Sequence, residues 1–434
     1  MRTLLLAPLL AAGCFETEDL FTPGLIGLST SSLAFTATEG GADPADQTFL
    51  LTNTGAGPLA WTADASSPWF TVAPASGTLA PGASILVTVH VDADFQLQAW
   101  EAATSTASAP AARNAHAAAF VNGQMIIWGG SNASSSNTQI AVGGRFDPLN
   151  NLWLGTTTTT GMPTERHLVS GVSTGAEMLV WGGWKFGVGF TNGGGRYAPD
   201  AWAAALDTAG APLAREAHAA VWTGARMVVW GGWDGGAHLD SGGLFDAASD
   251  DWTGATATAG NPGARQEHVA VWTGSRMVVW GGRNGPTLAS VLATGGLYDP
   301  VNNIWTGATA APGATLTART SPAAVWTGRE MVVWGGHDGG GPMSTGARYS
   351  PATNAWLGVL ATTGAPTARW GHSAVWTGAR MVVWGGDGGA GASVDTGAIW
   401  RPPVPALGDH AESVTISAPG LAPAVVGVNL TVTP

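Results

Sequence analysis

One segment, HAAVWTGARMVVWGG at 218–232, recurs in near copies along most of the chain, and such a repeat restricts the possible folds more than any single motif does. The tryptophan ahead of each Gly-Gly falls at Trp128, Trp181, Trp230, Trp280, Trp334 and Trp384, which makes six units of about fifty residues. An arginine keeps a constant place before each of them: Arg113, Arg166, Arg215, Arg265, Arg319 and Arg369. A second signal follows within the unit, a Gly-rich turn, an aromatic and a final tryptophan, clearest as GGLYDPVNNIW at 295–305 and GGLFDAASDDW at 242–252.

Within a unit, AVW and MVVW are short β-branched or aromatic runs around a turn containing Thr-Gly, which predicts a hairpin. The later signal adds two further extended segments. MVVW does not alternate with polar residues, so both faces of that strand need cover. An isolated four-stranded unit cannot supply it, whereas four-stranded sheets stacked radially can. The carried pattern is Arg, then His or a substitute, VW-TG, MVVWGG, Tyr/Phe-Asp-Pro and Trp. Over roughly 300 residues it resembles the kelch repeat. The resemblance implies a six-bladed β-propeller.

Ring closure follows from spacing. The final-strand tryptophans Trp153, Trp202, Trp252, Trp305 and Trp356 precede the next arginine by a nearly constant interval, and Trp100 precedes Arg113 by the same interval. The last unit stops at TGAIWRPP, 396–403, without a final tryptophan. Residues 97–103 are therefore expected to complete blade 6 and remove an open edge.

Residues 25–94 lie outside the repeat and read as short strands between turns: SLAFTAT, TFLLTNT, LAWTADA, WFTVAP and ILVTVHVDA. Their spacing predicts an Ig-like sandwich. Around Trp69, Ser76, Gly77, Pro81 and Gly82 the segment resembles the BACON family of bacterial Ig-like domains. In that family two last strands would follow directly, but here FQLQAWEAAT enters the propeller and candidate strands reappear in 407–434. The expected organisation is a first sandwich part at 25–94, a propeller at 95–405 inserted into it, and the last sandwich strands at 406–434. Two unrelated edge domains are the competing organisation.

The N-terminus, MRTLLLAPLLAAGC, has a positive start, an apolar run and small residues before the single cysteine, the pattern of a secretory signal over 1–13. It resembles a bacterial lipobox, which implies that Cys14 carries a lipid, that 14–24 is a tether, and that the protein is held at the outer membrane or cell surface through that lipid. Ordinary signal cleavage with an incidental cysteine is the alternative. One cysteine excludes internal disulfides, so stability must come from packing. A net charge of −12 argues against nucleic acid and anionic membrane surfaces. Charged residues make up only 11% of the chain, while 64 Gly and 26 Pro suit an all-β chain with many turns.

Candidate chemistry is sparse. An arginine at one register of every unit is expected to bond carbonyls and build the repeat. His116, His218, His268 and His372 share a register that Val169 and Pro322 fill elsewhere. Equivalent positions spread around a ring do not converge on a metal, so no metal site is expected. GVSTG at 171–175 spells a nucleophile elbow, but Ser173 stands where Trp222 stands in its own hairpin, and the motif needs a strand-turn-helix context. The Asp or Asn at 234, 284, 338 and 387 is expected to make tight turns instead of binding calcium. A copper oxidase among kelch relatives uses a Tyr-Cys crosslink, for which no mature cysteine is free. Sialidase-like chemistry would need a Tyr outside the repeat's structural aromatic position, where Tyr197, Tyr298 and Tyr349 all sit. No catalytic residue or cofactor is assigned.

Binding is expected where the units differ, in the connections after each Gly-Gly. Residues unexplained by the repeat are Trp184, Lys185, Phe186, Trp233, Arg283 and His337. Aromatics with sparse charge suit a protein or glycan ligand. The expectation is an all-β, monomeric, cell-surface binding protein with no nucleic-acid partner. The alternative is a carbohydrate-active enzyme of kelch type, such as a sugar isomerase, which crowded acids or a deep axial pocket would favour.

Overall fold

The computed structural model describes residues 24–38, 44–66, 69–91, 99–132, 138–198, 201–389, 391–402 and 408–433. They form strands, turns and loops with one short 3-10 turn at Leu288–Ser290 and no α-helix. The chain divides into two compact units, 97–402 and 1–96 with 403–434. The expected boundaries at 94/95 and 405/406, the signal, the tether and Cys14 all lie outside the described residues.

The larger unit is a six-bladed β-propeller of six four-stranded antiparallel sheets. Blade 3 shows the pattern: Ala219–Trp222, Arg226–Trp230, Gly242–Asp246 and Asp251–Ala255, each paired with the next. First strands of successive blades adjoin in a closed ring, from Ala117–Val121 of blade 1 through Ser373–Trp376 of blade 6 and back. They surround the axis.

The unbroken apolar run of the second strand has a geometric cause. Alternate side chains of a strand point to opposite faces, and here each face meets a different blade. Met227 and Val229 pack with Leu179 and Trp181 of blade 2, while Val228 and Trp230 pack with Met277, Val279 and Trp305 of blade 4. All four residues of 227–230 are fully buried.

Tryptophans join the blades. A second-strand and a last-strand indole meet edge to face at interfaces including Trp128–Trp202, Trp153–Trp384, Trp230–Trp305 and Trp100–Trp334, with ring centroids 4.9–5.1 Å apart. Each last-strand indole also donates to a carbonyl in the segment preceding its blade, as Trp252 Nε1 does to Asp207 and Trp305 Nε1 to Ala257. Blade 6 follows the same rule with a strand from the start of the unit: Ala99–Ala103 pairs with Gly397–Arg401, and Trp100 Nε1 donates to the carbonyl of Ala361.

The smaller unit is an Ig-like sandwich. One sheet orders Ile26–Leu28, Gln47–Asn53, Ser84–Val91 and Phe70–Ala73. The other orders Ser32–Thr38, Ala424–Thr433, Gly408–Ser417, Leu59–Ala65 and Ser76–Leu79, with the first two parallel. The two C-terminal strands therefore occupy the middle of their sheet. Val414, Ile416, Val426, Val428 and Leu430 alternate inward and join Phe35, Trp61, Val87 and Val89 in one core. Asn53 is buried but satisfied: its amide donates to the carbonyls of Gly57 and Leu79, and its oxygen accepts from Leu25 and Gly55.

Candidate functional site

One mouth of the propeller carries the Arg-x-x-His segments and the loops after each Gly-Gly, and its frame is the same in every blade. The six arginines are buried and bridge carbonyls. Arg265 Nη1 donates to Gly281 and Thr294, and Nε to Gly263; Arg215 and Arg369 make the equivalent bonds. Burial lowers their pKa to about 10, so they stay charged at neutral pH. Gly231 and Gly232 adopt positive φ. The second glycine brings its N–H to the carbonyl of the next blade's arginine, as Gly232 does to Arg265. A Cβ on Gly232 would come within 2.6 Å of the Glu216 carbonyl oxygen.

A closed belt of backbone hydrogen bonds circles the axis at this mouth. The amides of Ala115, Leu168, Ala217, Glu267, Ser321 and Gly371 each donate to the same register of the preceding blade, at 2.7–3.0 Å, and Ala115 returns to Gly371. All six residues have φ between 48° and 63°, a region that costs non-glycine residues energy. The ring of blades holds them there.

The histidines belong to this frame. His116 stacks on Trp384 and His218 on Trp181, each with Nε2 bonded to a serine of the preceding blade, Ser373 and Ser170. Burial drives both to a pKa of about 3 and holds His268 and His372 well below the ordinary value. They are neutral packing groups. Among the described residues no group of three or more His, Cys, Asp or Glu could hold a metal ion. Ser173 lies within a β-hairpin and its hydroxyl donates to the Phe120 carbonyl. Asp234, Asp338 and Asp387 accept from backbone amides within their own turns.

What the frame presents does not repeat. The residue after each arginine bridges to the residue after each Gly-Gly: Asn114 to Ser131, His167 to Trp184, Glu216 to Trp233, Gln266 to Arg283, Thr320 to His337, and Trp370 to Asp387. Two concentric rings of polar and aromatic side chains thus surround the mouth. On one side of it a cavity of about 540 Å³ is lined by Asn114, Ser131, His167, Glu267, His337, Trp370 and Asp387, among others. His337 Nδ1 accepts from the Gly339 amide, so Nε2 carries the proton. His167 is pushed down to about 4 by burial and is neutral.

Across the mouth stand two carboxylates. Glu267 accepts two bonds from Arg283 at 2.9 and 3.1 Å and one from the Thr320 hydroxyl at 2.6 Å. Glu216 is raised to about 7, by burial first and by the charge on Glu267 second, with Arg283 partly offsetting both.

The residues expected from sequence are spread around the loop rim. His337 lines the cavity. Trp184 and Trp233 are half-buried and stack on His167 and His238. Lys185 pairs with Glu165, and Arg283 with Glu267. Phe186 is 53% exposed on a small hairpin, Trp184–Lys185 with Gly189–Phe190, which Gln139 ties down through the Phe186 amide and the Trp184 carbonyl. Asn114, His167, Glu216, Glu267, Trp370 and Asp387 were not singled out from sequence as binding residues. The signal of all but Glu267 is the non-repeating residue beside an invariant arginine or an invariant Gly-Gly; Glu267 is a belt residue, one position further on.

The comparisons with known proteins match two parts of the chain. The KLHDC2/KLHL20/DRC7 Kelch-repeats domain matches residues 200–386, and the Viral BACON domain matches residues 25–114. The second match runs through Trp100 and Arg113, which the structure places in the propeller. No curated protein matches the chain. The chain therefore carries a kelch-repeat domain and a BACON domain, an all-β combination that fits a binding protein.

Proposed function

We propose that this is a secreted, lipid-anchored surface protein whose propeller binds a glycan at the Arg-x-x-His mouth. The observation that carries the reading is the contrast between an invariant frame and two rings of non-repeating side chains. The same arginine and Gly-Gly in each blade, with a belt position held in one backbone geometry, support positions that vary from Asn114 to Trp370 and from Ser131 to Asp387. The cavity combines an indole, two imidazoles, an amide and two carboxylates, a set that suits a polyol with one apolar face. A charged peptide would find few unpaired charges, since Glu267, Arg283 and Lys185 are already paired.

A glycan array probed with the mature chain tests this. Binding of defined glycans that Trp370→Ala weakens and Trp272→Ala does not is expected; a blank array beside a specific protein captured from the cell surface would favour a protein ligand. Cys14→Ser is expected to move the protein from the membrane fraction to a soluble one, and unchanged detergent partitioning would contradict the lipid anchor.

One observation favours a second reading, a carbohydrate-active enzyme. Glu216, titrating near 7, stands close enough to Glu267 to feel its charge, and Glu267 is paired with Arg283. Two neighbouring carboxyl groups in different surroundings can supply an acid and a base. Conversion of a bound sugar that disappears in Glu216→Gln while binding persists would establish it.

A further inference from the structure

The opposite mouth of the propeller, at the Thr-Gly turns, gathers the tryptophans of the VW-TG element. Trp222, Trp272, Trp326 and Trp376, with Phe120, line an axial bowl of about 320 Å³. Ser173 fills the sixth position, its hydroxyl turned to the Phe120 carbonyl. Since blades 1 and 2 fold with Phe and Ser at this register, packing alone does not demand tryptophan there. The four tryptophans are partly buried against the interblade cores, and among the described residues their indole N–H groups have no hydrogen-bond partner and are not buried.

We propose that this bowl is a second binding site, for a neutral pyranoside. An alkyl chain would bury the indole N–H groups unpaired, at a cost of about 1–3 kcal/mol for each one fully desolvated. A quaternary ammonium would meet π faces, but no carboxylate lines the bowl, and the surrounding turns carry both signs, Arg226, Arg276 and Arg380 beside Glu177 and Glu330, whose carboxylates are already paired with Arg196 and Arg348. An anion would find no cationic side chain in the lining itself. A pyranoside satisfies both chemistries: its C–H face covers indole rings and its hydroxyl oxygens accept from the indole N–H groups. The volume admits one or two sugar rings. Trp326 also borders a cleft of about 760 Å³ between blades 4 and 5, lined by Arg276, Asp299, Arg329 and Glu330, which gives a longer glycan a way out of the bowl. None of these residues belongs to the other mouth, so this site stands or falls separately from the function proposed above.

The test is a 1H–15N indole spectrum of the full chain titrated with methyl glycosides of glucose, galactose, mannose and N-acetylglucosamine at millimolar concentration. The four signals are assigned by single Trp→Phe variants at 222, 272, 326 and 376, which the scaffold accepts at Phe120. At least one glycoside is expected to shift these signals, Trp272→Ala to weaken that binding at least about tenfold, and Trp370→Ala at the other mouth to leave it unchanged. Trp272→Phe is expected to weaken it as well, through loss of one donor, which keeps the test decisive if the alanine variant does not fold. Four signals unmoved by every glycoside, or a response undiminished in Trp272→Phe and Trp272→Ala, would overturn the site. A stronger response to tetramethylammonium would overturn the ligand class.

Discussion

Trp100 faces Trp400 across neighbouring strands, although they stand at opposite ends of the propeller's sequence. The pair closes the ring. Trp100 also meets Trp334 edge to face at 5.1 Å and reaches the Ala361 carbonyl, as last-strand tryptophans do in other blades. Trp100→Ala is expected to destabilise the propeller by about 3–5 kcal/mol, much as Trp305→Ala should within a continuous blade. Urea unfolding measures both, and a Trp100→Ala midpoint equal to wild type would show that the ring closes otherwise.

Removing one frame arginine should cost as much at any blade. Arg265→Ala leaves the Gly281 and Thr294 carbonyls without their guanidinium partner, at about 1–3 kcal/mol for each buried group left unpaired. Arg226→Ala, at an exposed turn, should change stability by no more than about 0.5 kcal/mol. Equal effects of the two variants in thermal or chemical unfolding would contradict the structural role.

The buried histidines should make the propeller acid-sensitive. The folded pKa of His116 and His218, about 3, lies below the ordinary 6.5, so the unfolded chain binds protons first. The stability present above pH 6.5 is lost as pH falls from 6.5 towards 3. His218→Val, with the residue that Val169 supplies in blade 2, should flatten the loss across that window. An unfolding free energy with the same slope in wild type and variant would contradict the assignment.

Glu216 acts in the other direction. Its folded pKa is raised from 4.5 to about 7, so its contribution is complete below pH 4.5 and is lost as pH rises through 7. Glu216→Gln should therefore be more stable than wild type above pH 7, and similar to it at pH 4. The reverse order in pH-resolved melting would show that burial and Glu267 do not govern this group.

Deleting 407–434 should unfold the sandwich and spare the propeller. Those residues supply the two central strands between Ser32–Thr38 and Leu59–Ala65, and without them Ser32–Thr38 loses its sheet partner and Leu59–Ala65 keeps only Ser76–Leu79. Loss of β signal from the sandwich with native propeller tryptophan fluorescence is expected. An equally stable sandwich in the truncated chain would contradict the pairing.

The frame was legible in sequence because it repeats. Arg215, Trp230 and Gly232 recur at fixed intervals, and periodicity of that kind reports geometry directly. The mouth was less legible. Asn114, Glu216 and Trp370 adjoin invariant arginines, yet no spacing reveals that residues from blades so far apart in sequence face one opening. The belt from Ala115 to Gly371 left no sequence signal at all, because left-handed backbone there is imposed by the next blade and not by glycine. Lys185 and Arg283 stood out in sequence as unexplained by the repeat, and the structure pairs them with Glu165 and Glu267, which depends on how loops fold over the rim.

The most direct measurement is calorimetric titration of the mature chain with the glycan an array selects, repeated for Trp370→Ala, Asp387→Ala and the frame-preserving control Phe186→Ser. The account predicts binding reduced by at least about tenfold, roughly 1.4 kcal/mol, in the first two and unchanged in the third. Full affinity in both Trp370→Ala and Asp387→Ala would contradict it.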